Sequence, residues 1–501
     1  MTEPSEESIA WPVALAALTA LWGIVAALVY FQEGLTLSHY DAKGHLVVAR
    51  RVIDSLTPGW QQIGAVWLPL PHVLNLLPVQ VDVLYRTGAS GVAISIASLA
   101  LAVFGATRLV ISSTGSRVAA VLTALLLATN PNILYLQSTP MTEPLLLGLL
   151  AVGIALLYDG VSHDNLRQRR LGFFALALAC LTRYEAWPVT GTAVIVTALA
   201  DWRRHGSVRA AIVEALKLAA IPAVFIGWFF LHSRVTVGHW FVTDGFYVVD
   251  PRYQSKPLVV TVAVWWGMKS LGSAALAIGV IGAVAVLFAL WCLRRDRHAL
   301  IVPLAWVGII ALAWYAFYQG HPYRIRYMVP AVAASSILVG LVVGHLKRWQ
   351  APVAAAFLAL VWLQARPFDP KAAMVLEAQW DRPRGVERRA VTACLPQPGH
   401  GEIVMASMGA LAHYMQELSA VGFALHDFLH EGNGDLWAAA VAHPITQVRW
   451  MMIEEVSEGG DVLAQRARTD PTFLEGFTRV CEGGGVALYR SSAKPKALSA
   501  K

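Results

Sequence analysis

The sequence predicts an α-helical polytopic membrane protein with a small extracytoplasmic α/β domain at its C-terminus. Of its 501 residues, 56% are hydrophobic and only 14% are charged, which is too apolar for a soluble globular protein. Apolar runs of near membrane-spanning length recur up to residue 365, and alternating helix and strand signals follow. We therefore divide the chain into a transmembrane domain, 1–365, and an α/β domain, 366–501.

About eleven apolar runs are candidate transmembrane helices. The first is predicted to be retained, because the residues before it lack the basic segment of a secretory signal. Two runs, 171–182 and 186–200, are shorter than the ~20 residues that cross a bilayer. Basic segments flank this pair on both sides, so the pair predicts a hairpin with Arg183 and Glu185 at its outer tip. The runs are 11–31, 89–107, 118–136, 144–158, 171–182, 186–200, 211–231, 272–293, 299–318, 328–346 and 351–365.

Basic clusters between these runs predict the orientation in the cell's inner or plasma membrane. With a cytoplasmic N-terminus, the main clusters all fall in the cytoplasm and the α/β domain falls outside. The net charge of +7 resides largely in these clusters, so we predict no nucleic-acid partner. The clusters are Arg108, Arg117, Arg167/Arg169/Arg170, Arg203/Arg204/Arg209, Arg294/Arg295/Arg297 and Lys347/Arg348.

The first long outer loop, 32–88, begins with LSHYDAKGHLVVARRVIDSL, residues 37–56. This segment holds Asp41, Lys43 and His45 beside the first span, where charged groups are costly unless they are used. Its apolar residues recur at near-helical spacing, which predicts a helix in the membrane interface. We interpret the segment as the part of a catalytic site that lies at the water–lipid boundary.

The second long outer loop, 232–271, is rich in aromatic residues. Its part from 259 to 268 contains Trp265 and Trp266, which favour a second interfacial helix. Both loops are longer than passive connectors need to be.

The α/β domain is predicted from the change of pattern after residue 365. Cys394 and Cys481 either form a disulfide in this extracytoplasmic domain or remain two unrelated buried thiols. The predicted elements are helical at 371–394, 408–418 and 435–443, strand-like at 402–407 and 448–455, with a hairpin around Gly483–Gly485.

Two outer carboxylates are the candidate catalytic groups. Asp41 can act as a general base for an attacking hydroxyl, or it can cap the interfacial helix. Glu143 lies in QSTPMTEPL at the outer end of the fourth run, where it too can be a helix cap. Two carboxylates at the same membrane face favour a shared site over two caps.

Histidines and arginines complete the candidate set. His45 follows Asp41 at metal-ligand spacing, but two side chains do not make a metal site, and a histidine that reaches toward the interface is the favoured alternative. His72 is held in reserve. The segment QGHPYRIRYMVP carries His321, Arg324 and Arg326, which suit a phosphate or, alternatively, lipid headgroups.

These motifs together resemble the GT-C glycosyltransferases, within them the bacterial branch near protein O-mannosyltransferases and aminoarabinose–lipid A transferases. The resemblance rests on YDAKGHLVVARRV after the first span, WLPLPH later in that loop, TEP opening the fourth run and RIRYMVP before a late run. It covers roughly the first 365 residues. Protein O-mannosyltransferases usually carry an Asp-Glu pair after the first span, whereas Ala42 follows Asp41 here.

The resemblance implies an inverting sugar transfer from a polyprenyl-phosphate donor to a lipid, glycan or protein acceptor. Asp41 would deprotonate or orient the acceptor, and Glu143 would assist it. Asp41, Glu143 and His45 would hold a divalent cation, Mg, Mn or Zn, if one is used. Arg324 or Arg326 would balance the leaving phosphate. The expected substrate-binding set is Lys43, His45, His72, Arg183, Glu185, His321, Arg324, Arg326 and Tyr327.

A polytopic transporter and a non-enzymatic lipid-binding scaffold are the competing classes. A transporter is expected to place ionisable groups near mid-membrane in broken helices of matching halves. A scaffold requires Asp41 and Glu143 to be helix caps only. A transferase requires Asp41, Glu143 and an outer-loop arginine to share one cavity that opens to lipid.

Overall fold

The computed structural model describes residues 6–242, 247–398 and 402–493. A helical bundle is followed by a five-stranded sheet with short helices. Residues 243–246 of the second predicted outer loop lie outside the described residues. The helices of the first part are α1 (Glu6–Gln32), α2 (Tyr40–Arg50), α3 (Leu70–Asn75), α4 (Asp82–Thr87), α5 (Ala89–Thr114), α6 (Arg117–Ala128), α7 (Pro131–Gln137), α8 (Glu143–Ser162), α9 (Leu166–Cys180), α10 (Ala186–His205), α11 (Val208–Val237), α12 (Pro257–Gly272), α13 (Ala274–Leu293), α14 (Ile309–Tyr318), α15 (Val329–Gly344) and α16 (Gln350–Trp362).

The predicted multi-pass membrane architecture is confirmed. Seven helical stretches in the described residues are long and apolar enough to cross a membrane, or eight if the bent pair α6 and α7 is one span. That pair meets at 67°, so the predicted run at 118–136 is not one straight helix. Helices α9, α10 and α16 coincide with three further predicted runs but do not meet the same criteria of length and composition. The count of eleven spans therefore stays a prediction.

Helix α8 lies inside the bundle and packs closely on α5. A Cβ atom at Gly105 would lie 2.5 Å from the backbone of Ala151, and one at Gly148 would lie 2.7 Å from the carbonyl oxygen of Ser98. Small residues let membrane helices approach to this distance. The contact fixes α8, and with it Glu143 at its first turn.

The apolar face of α2 packs against protein and not against lipid, as an interfacial helix would have it, and the location of α2 at the membrane interface stays a prediction. Its residues Leu46, Val47 and Ala49 are buried in a cluster with Leu411 and Tyr414 of the C-terminal domain. An apolar helical stripe shows that a helix buries one face, but it does not show whether lipid or protein covers that face. Here the covering surface is protein. Helix α12 forms as predicted over Trp265 and Trp266, and its interfacial location stays a prediction.

The C-terminal domain is a mixed sheet of order β2-β1-β3-β5-β4. Strand β1 pairs in parallel with β2 and β3, while β5 pairs antiparallel with β3 and β4. The elements are α17 (Ala373–Ala378), α18 (Arg382–Glu387), α19 (Arg389–Cys394), β1 (Val404–Ala406), α20 (Met408–Leu418), β2 (Phe428–Leu429), α21 (Asp435–Ala442), α22 (Pro444–Gln447), β3 (Trp450–Glu454), α23 (Val462–Thr469), β4 (Phe477–Gly483) and β5 (Val486–Ser491).

Most predicted elements of this domain are confirmed. Helices form at 408–418 and 435–442, strands form within 402–407 and 448–455, and the hairpin turns at Gly484 and Gly485, which both have positive φ. The predicted helix at 371–394 is instead three short helices, because Pro383 starts a new helix and cannot continue the previous one. Cys394 and Cys481 form a disulfide that ties α19 to β4, which decides between the two alternatives.

Candidate active site

Asp41 is not the cap of α2. The N-cap is His39, whose Nδ1 accepts a hydrogen bond from the backbone N–H of Asp41 at 3.1 Å. The carboxylate of Asp41 is therefore free of the capping role. It forms instead an ion pair with Arg326, and both side chains are more than nine-tenths buried.

The Asp41–Arg326 pair joins the first outer loop to the short helical turn Ile325–Met328 that precedes α15. Burial raises the pKa of the Asp41 carboxyl, but Arg326, His39 and His45 together lower it by more, and the pKa falls to about 2. Asp41 is thus an ionised carboxylate at neutral pH. A buried charge of this kind needs its partner, because an uncompensated one would be strongly destabilising.

Glu143 also makes no cap in this structure. It is the first residue of α8, it is fully buried, and its Oε1 lies 2.9 Å from Nη1 of Arg183. Arg183 also binds Glu185 at 2.6 Å and donates to Thr142 Oγ1 at 3.1 Å. Neither carboxylate oxygen of Glu143 has a hydrogen bond of good geometry from the described residues. Arg183 is therefore the cation that balances this buried carboxylate.

The two ion pairs belong to one cluster. Arg326 interacts electrostatically with Glu143 as well as with Asp41, and Arg183 interacts with Arg326. We call Asp41, Glu143, Arg183, Glu185 and Arg326 the acid–guanidinium cluster. Both acids and an outer arginine thus lie in one cluster, and the shared cavity that opens to lipid stays a prediction.

His45 and His72 form a buried pair beside this cluster. Nδ1 of His45 lies 3.1 Å from Nε2 of His72, and the His45 ring lies 4.2 Å from that of Trp67. Burial lowers the pKa of His45 well below its usual value and lowers that of His72 to about 3. Both imidazoles are neutral at pH 7. The alternative in which His45 reaches toward the membrane interface is wrong, because protein encloses its side chain.

The two candidate arginines of the RIRYMVP segment have different partners. Arg324 binds Glu458 of the C-terminal domain at 2.8 Å and lies over the ring of Trp380. Arg326 alone of the two pairs with Asp41. Arg324 therefore contacts the C-terminal domain, whereas Arg326 belongs to the acid–guanidinium cluster.

The remaining predicted residues surround the cluster. Lys43 pairs with Glu417 of α20. Tyr327 lies beneath the guanidinium of Arg326 at 5.6 Å, and its hydroxyl lies 3.3 Å from Nε2 of His321. His321 and Tyr327 thus support Arg326, whereas Lys43 faces the C-terminal domain.

The predicted cation ligands do not fit a metal site. Within the described parts of the chain, no group of three or more His, Cys, Asp or Glu side chains is placed to hold a metal ion. Asp41 and Glu143 face guanidinium groups, and His45 faces His72. Arginine side chains occupy the positions where a cation would balance the two carboxylates.

Sequence reasoning missed the residues that the C-terminal domain brings to the site. Glu417 is 374 residues from Lys43, and no local pattern could identify such a pairing. The ring of Trp67 packs against His45. Trp67 lies within the WLPLPH motif, so this motif could have indicated an aromatic residue at the site.

The helical bundle and the C-terminal domain together have a fold that solved structures share. The predicted resemblance is confirmed at the level of the fold. ArnT from Cupriavidus metallidurans, in a crystal structure bound to undecaprenyl phosphate, matches 94% of this chain and 97% of its own, with a TM-score of 0.55 and 14% identity.

An archaeal enzyme has the same fold. The Archaeoglobus fulgidus oligosaccharyltransferase in its apo form matches 96% of this chain and 75% of its own, with a TM-score of 0.53 and 12% identity. Its structure tethered to an acceptor peptide with the NVT sequon matches 94% and 74%, also at 0.53 and 12%. No protein-family model and no curated protein sequence matches the chain.

Proposed function

We propose that the protein is a membrane glycosyltransferase that moves a sugar from a polyprenyl-phosphate donor to an extracytoplasmic acceptor with inversion. The buried Asp41–Arg326 pair is the observation that carries the proposal. It places a carboxylate that can act as a base next to a guanidinium that can bind phosphate, and the reaction requires both groups. The fold shared with ArnT, whose crystal structure contains undecaprenyl phosphate, supports the choice of donor.

In the proposed reaction, the acceptor hydroxyl oxygen forms a bond to the anomeric carbon while the bond from that carbon to the donor phosphate breaks. The hydroxyl proton passes to Asp41, and the leaving polyprenyl phosphate takes the electron pair. Positive charge develops at the anomeric carbon and negative charge on the phosphate. Once Arg326 has turned from Asp41 to the phosphate, the carboxylate and the guanidinium lie on opposite sides of the bound sugar and stabilise the transition state. A single displacement inverts the configuration.

The ion pair also suggests how the donor activates the base. While Arg326 holds the Asp41 carboxylate, the pKa of Asp41 is about 2, which makes it a weak base. Donor phosphate competes with Asp41 for Arg326. Once the guanidinium turns to phosphate, burial is the main influence on Asp41, and burial raises its pKa. Asp41 then becomes basic only when a donor is bound.

Glu143 is proposed to keep Arg183 oriented toward the phosphate side of the cluster. Arg183 binds both Glu185 and Glu143. The single positive charge of its guanidinium is therefore shared by two carboxylates. No step needs a metal ion, because two guanidinium groups supply the positive charge.

The competing classes are less well supported. A scaffold needs Asp41 and Glu143 as helix caps, and neither side chain caps its helix. A transporter is expected to gather its charges at mid-membrane, whereas Glu143 and Arg326 lie at helix ends.

The test is donor consumption by the purified full-length chain with a panel of polyprenyl-phosphate sugars and membrane extract as the source of acceptor. We expect wild type to release polyprenyl phosphate and Asp41→Asn to lose at least ~100-fold in rate. Asp82→Asn is the matched control, since Asp82 lies in the same outer loop but is exposed. Transfer that survives Asp41→Asn and Glu143→Gln, singly and together, would remove the catalytic assignment.

A further inference from the structure

An open apolar groove lies between α9 and α11, far from the acid–guanidinium cluster. Its volume is about 470 Å³, within the range of ligand sites, roughly 300–1,000 Å³. Helix α8 leads from Glu143 to Ser162 before α9 begins, so the groove starts at the opposite end of the bundle. The lining residues are Leu166, Arg167, Arg170, Leu171, Phe174 and Ile221.

The two arginines of the groove are unlike their neighbour Arg169. Arg169 is buried and pairs with Asp201 at 2.8 Å and Asp164 at 3.1 Å. Arg167 and Arg170 are exposed at the groove. Among the residues that the structure describes, no carboxylate forms an ion pair with either of them. The groove therefore carries two uncompensated positive charges.

The arrangement along α9 is amphipathic and has a direction. Arg167 and Arg170 lie near the start of the helix, and Leu171 and Phe174 follow on the same face at helical spacing. From Arg167 to Phe174 the helix rises about 10 Å. Phe174 meets Phe225 of α11 edge-on, with ring centroids 5.7 Å apart, which forms a wall between the two helices. The groove thus has two positive charges at one end and apolar walls along the rest of its length.

A second groove gives an internal comparison. It has a volume of about 350 Å³ and lies where α1, α6 and α16 meet, lined by aliphatic residues with Trp11 and Arg117. The guanidinium of Arg117 lies over the Trp11 ring at 5.4 Å. This groove has similar apolar walls but only one arginine, which is already engaged.

We propose that the groove between α9 and α11 binds one anionic glycerophospholipid, with its phosphate between Arg167 and Arg170 and an acyl chain against Leu171, Phe174 and Ile221. Charge complementarity identifies the occupant: a pair of arginines above an apolar channel matches an anionic headgroup joined to a hydrocarbon chain. Basic pockets between membrane helices bind anionic headgroups by the same chemistry. The proposal does not depend on the glycosyltransferase function.

The experiment is native mass spectrometry of the full-length chain with equimolar phosphatidylglycerol and phosphatidylcholine of identical acyl chains. We expect wild type to retain one phosphatidylglycerol with a preference of about tenfold. The variant R167Q/R170Q is expected to reduce that preference to near unity, because both substituted side chains are exposed and the fold does not depend on them.

Two further variants separate the groove from general charge. R294Q/R295Q removes two exposed arginines outside the groove and is expected to keep the preference. Ile221→Trp fills the channel while keeping both arginines and is expected to lose the bound lipid. Equal loss in R294Q/R295Q and R167Q/R170Q, or an unchanged preference in R167Q/R170Q, would overturn the proposal. A third arm adds polyprenyl phosphate, and its displacement of phosphatidylglycerol from the groove would overturn the assignment to a glycerophospholipid.

Discussion

Arg326 is ion-paired with Asp41 inside the protein, and this contact joins the turn before α15 to the first outer loop. This guanidinium, together with His39 and His45, keeps Asp41 negatively charged although its side chain is buried. The same pairing holds the proposed base beside the proposed phosphate-binding group.

The first prediction separates the two arginines of the RIRYMVP segment. Arg326→Gln removes the cluster cation and is expected to lower the rate of sugar transfer by at least ~100-fold. Arg324→Gln breaks a partly exposed pair with Glu458 and the contact with the Trp380 ring, so it is expected to cost about 1 kcal/mol of stability and less than ~5-fold in rate. Steady-state kinetics of both variants make the comparison. Equal losses would show that the assignment to Arg326 is wrong.

The second prediction concerns stability without reference to activity. Arg326→Gln leaves Asp41 buried without its cation and is expected to destabilise the protein by about 3 kcal/mol. Adding Asp41→Asn removes the uncompensated charge, so the double variant is expected to be more stable than Arg326→Gln alone. Thermal unfolding of the two single variants and the double variant forms the cycle. Additive losses would mean that the pair has no energetic coupling.

The third prediction is a pH dependence from His72. Burial holds its pKa at about 3 in the folded protein, whereas the unfolded chain has a value near ~6.5. Its folded pKa is lowered, so the unfolded state binds the proton first as pH falls. The neutral imidazole therefore costs no stability above pH ~6.5, and stability is lost as pH falls from about 6.5 toward 3.

Between pH 7 and pH 5 this residue is expected to contribute a loss of about 2 kcal/mol. His72→Gln does not titrate, so its unfolding temperature is expected to fall less over that interval than that of wild type. His163→Gln, at an exposed site, is the control and should retain the wild-type slope. An identical slope in wild type and His72→Gln would contradict the buried neutral state.

The fourth prediction tests how the C-terminal domain holds the first outer loop. Asn433, just after β2, donates to Ser55 Oγ at 3.1 Å and Thr57 Oγ1 at 3.0 Å, and Gln62 donates to the carbonyl of Gly432 at 2.8 Å. These contacts lie at the carboxyl ends of the parallel strands, the edge where α/β sheets commonly bind ligands. Here the edge binds the chain's own loop.

Asn433→Ala is expected to increase amide hydrogen exchange in residues 52–64 by about 5-fold, because the loop loses two buried hydrogen bonds. Thr446→Ala, which removes one exposed hydroxyl contact in the same domain, is the control. Unchanged exchange in Asn433→Ala would show that the loop is held by packing alone.

The sequence predicted the helices and strands well where one physical rule decides them. Apolar length identified the spans, and the 3.6-residue period placed α20 at 408–418, as the structure has it. Prediction failed where a pattern had two physical causes. The apolar stripe of α2 fits lipid and protein equally, and the hydrophobic effect does not distinguish them. Packing against Leu411 and Tyr414 decided for protein.

Composition and periodicity therefore determined by themselves that this is a multi-pass membrane protein with a small α/β domain. The length and the spacing of apolar residues can be read from each local segment of the sequence. Which ionisable groups meet was decided only by the tertiary structure. Arg324 and Arg326 have the same chemistry and stand two positions apart, yet one meets Glu458 and the other Asp41. Ion pairing depends on distance in space, and sequence spacing does not specify that distance between remote segments.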